Sequence, residues 1–111
     1  VADYYQIGQE RAADRPATVL RPSGELDINA RDELRTAIID ALTEHEDVTV
    51  DLARVTFIDS EALGALIDGF NAAVAGNATF RVVGATGSVA RVLTVSGSQA
   101  VFDSALETPD S

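Results

Sequence analysis

The chain has 111 residues, 46% of them apolar and 23% charged, which suits a single folded domain over residues 1–111 with one hydrophobic core. Its formal charge of −10 comes from 18 acidic residues against 8 arginines, with no lysine, so nucleic acid and anionic membrane surfaces are not expected partners, since both are bound through Lys and Arg. The absence of cysteine and the single histidine, His45, exclude disulfides, thiolate catalysis and a His-rich metal site, and no metal or cofactor is expected.

Taken in order, Tyr4 to Ile7 and Ala17 to Leu20 read as two short strands around the turn-like Ala13-Asp14-Arg15-Pro16. After Pro22-Ser23-Gly24 the period changes: Leu34, Ile38 and Leu42 recur every four residues beside Ala30, Ala37 and Ala41, which predicts an amphipathic helix. Asn29 is its expected N-cap, Asp32 and Glu33 fall in the first turn, and the helix should end near His45. Val48, Val50 and Leu52 alternate with Thr49 and Asp51 as a strand does.

Phe57-Ile58 then leads into Asp59-Ser60, where a second helix starts, carrying Leu63, Ile67, Phe70 and Val74 at helical spacing. Thr79 to Val83 predicts a further strand, and Val89, Val92 and Leu93 a short helix ended by Ser96-Gly97. A brief strand around Ala100 to Phe102 and a frayed tail over 108–111 complete the chain. The fold class is therefore α/β: a mixed sheet of four to five strands covered by helices, in the order β-β-α-β-α-β-α-β. No apolar run approaches the roughly 20 residues that span a bilayer. The start, Val1 to Tyr5, lacks a basic segment followed by an apolar one, so a cytoplasmic location is expected.

Three segments could carry chemistry. Gly84-Ala85-Thr86-Gly87 follows a strand and opens a helix, as a dinucleotide-binding turn does. Such a turn belongs to the first βα unit of a longer sheet, and here only 24 residues follow Gly87, so a flexible connection is the better reading. A hydrolase pairing of Ser60 with His45 lacks the Gly-x-Ser-x-Gly elbow, and the carboxylates of Asp59 and Glu61 would oppose an oxyanion. The third candidate is Ser60 alone. At a helix start it serves as a cap in the ordinary case, yet a hydroxyl there also accepts a phosphoryl group, adding about −1.5 to −2 charges at the surface without disturbing the core.

Gly24-Glu25-Leu26-Asp27, then Val48 to Leu52 with Phe57-Ile58-Asp59-Ser60, then Leu63-Gly64, and finally Leu93 with Gly97 and Phe102 together resemble a STAS domain, in particular the bacterial anti-sigma factor antagonists. The resemblance implies a non-enzymatic partner switch. In that family the unphosphorylated protein binds an anti-sigma factor that is also a serine kinase, which frees a sigma factor. The kinase phosphorylates the serine after the family's aspartate, and a PP2C-type serine phosphatase reverses it. By position Ser60 is the implied phosphoacceptor, and Asp27, Asp59, Ser60, Glu61 and Ala62 the implied partner-binding residues.

The chain departs from the family pattern where Glu61 and Ala62 replace the usual Ser or Thr and then Gly; Glu61 sets a permanent negative charge beside the acceptor. Two other roles share the fold: a stressosome-type scaffold, and a transporter-associated regulatory module without phosphoswitching. A monomer is expected.

Overall fold

The computed structural model of the protein describes residues 4–44 and 47–104. β1 (Tyr5–Arg11) and β2 (Ala17–Leu26) form an antiparallel hairpin with bends over 13–16 at its tip. α1 (Ile28–Glu44) leads to β3 (Asp47–Asp51) and β4 (Arg54–Ile58), then α2 (Ser60–Ala75), β5 (Thr79–Val83), α3 (Gly87–Val95) and α4 (Ser98–Ser104).

The sheet runs β1-β2-β3-β5, and β4 also pairs with β2. Strand β2 is ten residues long and holds two parallel partners in tandem: β3 along Ala17 to Leu20, and β4 along Ser23 to Leu26. Arg21 and Pro22 fall between those two registers, where the missing N–H of a proline interrupts neither parallel ladder. α1 carries the chain from β2 to its parallel partner β3, and α2 carries it from β4 to β5. These are the helical crossovers that parallel pairing demands.

The period of two in each strand sorts the sheet into a covered and an open face. Val48 stands between Thr18 and Phe80, and Val50 between Leu20 and Val82, all of them buried. Leu34 and Ile38 of α1, Leu63 and Leu66 of α2, Val89 and Leu93 of α3 and Phe102 of α4 join that layer in one core cluster. The open face carries ion pairs instead: Asp47 receives Arg81 at 2.8 Å and Arg15 at 3.1 Å, while Arg21 pairs with Glu10 and, at 3.6 Å, with Asp51. Among the described residues no helix is long and apolar enough to cross a membrane.

The structure corrects three sequence expectations. The segment around Ala100 to Phe102 is helical, within α4, because Phe102 anchors a short helix by packing its ring near Phe70 and Phe80, with centroids 5.9 and 6.2 Å apart. The fifth strand is instead β4, which the short apolar pair Phe57-Ile58 only hinted at. The cap of α1 is Asp27 and not Asn29: Asp27 Oδ1 accepts from Asn29 N–H at 2.9 Å, and its carbonyl accepts from Ala30 N–H at 2.9 Å. With the start at Ile28, Asp32 and Glu33 lie beyond the first turn. His45, the expected end of α1, and the tail over 108–111 lie outside the described residues.

Gly24 decides where β2 ends. Its φ is +85°, and a Cβ there would stand 2.1 Å from the carbonyl oxygen of Tyr4, so only glycine fits. A register shift between Gly24 and Glu25 then sets Leu26 opposite Ile58, and β2 and β4 finish side by side.

Candidate functional site

Because β2 and β4 end together, the residues that follow them, Asp27 and Asp59, open two adjacent helices. The Asp59 N–H donates to Leu26 O at 3.1 Å, tying the second helix mouth to the end of β2. Asp59 has extended geometry, and its Oδ1 accepts from Ala62 N–H at 3.0 Å while its carbonyl accepts from Leu63 N–H at 2.9 Å. It is therefore the N-cap of α2, and Ser60 is the first helical residue.

This assignment separates two roles that sequence had merged. Capping belongs to Asp59, and Ser60 is exposed, with no described residue bonded to its hydroxyl. Ala62 is buried and its backbone is not in the left-handed region, so this position does not require glycine.

Glu61 Oε1 receives Arg31 Nη1 from α1 at 2.7 Å, and Arg31 Nε also donates to Asp32 at 3.1 Å. Hydrogen bonding to Glu61 first, and then to Asp32, holds the Arg31 guanidinium above its ordinary value. One turn further along α1, Arg35 lies 3.4 Å from Asp68 of α2. Between the two helices runs a cleft of about 380 Å³ lined by Arg31, Arg35, Ser60, Glu61, Gly64 and Asp68, among others. The charge that Glu61 sets beside Ser60 thus arrives already paired. Sequence reading missed Arg31 and Arg35; their four-residue spacing was visible, but Glu61 and Asp68, which they meet across the cleft, sit on another helix.

Large apolar side chains also stand at this end of the sheet. Ile28, directly after Asp27, is 54% exposed, and Phe57, two residues before Asp59, is 46% exposed. Of the five residues expected to bind a partner, Asp59, Ser60 and Glu61 stand together in consecutive positions with Asp27 on the neighbouring strand end, whereas Ala62 is turned into the core and presents no side chain at the surface.

The glycine-rich turn has a structural cause. Gly84 has φ +80°, and a Cβ on it would meet Asp51 Oδ1 at 2.5 Å and Ala53 N at 3.1 Å. Close approach to the β3–β4 connection requires this glycine, and the carboxylate lying against it is the wrong charge to share the place with a pyrophosphate.

A family model described as "Mlab, STAS domain" matches residues 10–103. No curated protein sequence matched the chain. Among solved structures, an anti-sigma factor antagonist from Mycobacterium paratuberculosis superposes with a TM-score of 0.77 at 24% identity, covering 88% of this chain and 82% of that one. The phosphorylated Bacillus cell fate determinant SpoIIAA gives 0.67 at 21% identity, with 88% and 86% covered. An antisigma-factor antagonist STAS domain from Rhodobacter sphaeroides gives 0.60 at 19%, with 73% and 87% covered. At these identities the structural likeness is one of fold. With the family match over most of its length and the paired strand ends that set Asp27 beside Asp59, the chain belongs to the STAS-domain family.

Proposed function

We propose that this chain is an anti-sigma factor antagonist of the cytoplasm, which binds an anti-sigma factor serine kinase while Ser60 is unmodified and releases it when Ser60 is phosphorylated. The observation that carries the reading is the division of labour at the mouth of α2: Asp59 caps the helix, which leaves the Ser60 hydroxyl exposed and without a described partner. A kinase can reach that oxygen, and modifying it breaks no hydrogen bond of the fold. The phosphoryl group adds about −1.5 to −2 charges at a surface point. Ile28 and Phe57 supply apolar area for a partner beside the acidic Asp27 and Asp59, which suits a partner surface that mixes apolar and basic side chains. A PP2C-type serine phosphatase would reset the switch.

Incubation with the cognate anti-sigma kinase and ATP, followed by intact-mass measurement, should show the addition of one phosphoryl group that Ser60→Ala abolishes. By calorimetry Ser60→Ala should bind the anti-sigma factor as tightly as the unmodified chain, and Ser60→Asp at least about tenfold more weakly, a loss of about 1.4 kcal/mol. Equal affinities for the two variants would refute the electrostatic switch. Absence of the added phosphate, where a control antagonist is modified, would leave the scaffold or transporter-associated role as the better account.

A further inference from the structure

We infer that Arg31 is the intramolecular partner of a phosphoryl group on Ser60, exchanging Glu61 for the phosphate when the serine is modified. The inference rests on the reading of Ser60 as phosphoacceptor and adds what the modification does inside the protein. Arg31 Nη1 lies 2.7 Å from the carboxylate of Glu61, the residue next to Ser60, and both Arg31 and Ser60 line the interhelical cleft.

The pair is open to solvent, with side chains 40% and 46% exposed, so it is held only weakly and can exchange. A phosphoserine dianion offers three acceptor oxygens and about twice the charge of a carboxylate, and guanidinium binds phosphate in a bidentate fork. Repulsion between the new phosphate and Glu61 drives the exchange in the same direction. Arg35 is less suited, because it is engaged with Asp68, eight residues along α2 from Ser60, or about 12 Å at 1.5 Å per residue. The charged groups around the acceptor are Asp27, Arg31, Asp32 and Arg35 from the α1 side, and Asp59, Glu61 and Asp68 from the α2 side.

The exchange would give the switch a second element. The unmodified protein presents a neutralised Arg31–Glu61 pair on its partner face, whereas the modified one presents a free Glu61 carboxylate beside a phosphate clamped to α1. The surface seen by a partner would change at two residues for one covalent event.

The test installs phosphoserine at position 60 of the full chain during translation, so that it depends on no kinase; failure of Ser60 as a kinase substrate is read separately, by the intact-mass experiment. The second pKa of the phosphate, about 6 in the free residue, is followed by phosphorus NMR. Arg31→Gln should raise it by about half a unit both in the Glu61 chain and in a Glu61→Gln chain, because a contacting cation favours the dianion. Arg54→Gln, at the opposite end of β4, should leave it unchanged. A rise only when Glu61 is present would mean that Arg31 merely screens that carboxylate, and no rise in either chain would mean no contact; each result overturns the inference.

Discussion

Asp59 joins the fold to the site. Its side chain satisfies the Ala62 N–H at the start of α2 and its backbone bonds the end of β2, so one residue sets both the helix origin and the position of Ser60. Asp59→Ala should cost about 1 kcal/mol, read as a lower urea midpoint with an unchanged slope, whereas Asp59→Asn, which keeps an acceptor oxygen, should retain most of that stability. If Asn were as destabilising as Ala, the carboxylate charge and not the capping bond would be the main contribution. Arg31 adds no pH dependence in the neutral range from its own titration: hydrogen bonding to Glu61 raises its value in the folded state, so its contribution is full below the ordinary arginine range and is lost only at pH above it.

The packing of α1 on α2 fixes the distance between Arg31 and Glu61, and it depends on a glycine in the middle of a helix. A Cβ on Gly69 would come within 2.5 Å of Ile38 Cγ2 and 3.3 Å of Phe80, so the two helices are closer than any side chain at that position would allow. Gly69→Ala gains about 1 kcal/mol of helix propensity. It incurs roughly 1–3 kcal/mol of overpacking against a β-branched neighbour that cannot easily rotate away. The net expectation is a loss of about 1 kcal/mol in chemical unfolding, and a gain in stability would show that the helices can separate freely. α4 is held in a different way, by burial of the Phe102 ring against α2 and β5, and so a seven-residue segment of modest propensity stays helical.

Over the whole molecule, a formal charge of −10 sits on 111 residues, and the ion pairs described above on the open sheet face and in the α1–α2 cleft are at least partly exposed on both partners. Exposed pairs contribute little each, and self-repulsion of the excess acids opposes the compact state. Raising sodium chloride from about 0.05 to about 0.5 M, which shortens the Debye length from roughly 14 to 4 Å, should therefore raise the urea midpoint. A fall would mean that the arginine pairs outweigh the repulsion they sit within. The asymmetry of the sheet gives the molecule two unlike surfaces: an open, charged face, and a helix-mouth end where Ile28, Phe57 and Ser60 are exposed together.

The sequence by itself determined the alternation of strands and helices through β5 and α3, β4 excepted, because periods of two and of nearly four are written directly in Val48-Val50-Leu52 and Leu34-Ile38-Leu42. It also carried the motifs of the two helix mouths, since Gly24 to Asp27 and Asp59 to Ser60 are contiguous strings. What it could not decide depended on neighbours distant along the chain. α4 is a helix because Phe102 meets rings from two other elements, and β4 is a strand because Gly24 lets β2 bulge to pair with it. Glu61 illustrates the same limit at the site: in sequence it is a lone charge beside Ser60, and only the approach of α1, permitted by Gly69, gives it Arg31 as a partner. Local order follows from side-chain period; pairing of charges and rings requires the surfaces that tertiary packing brings together.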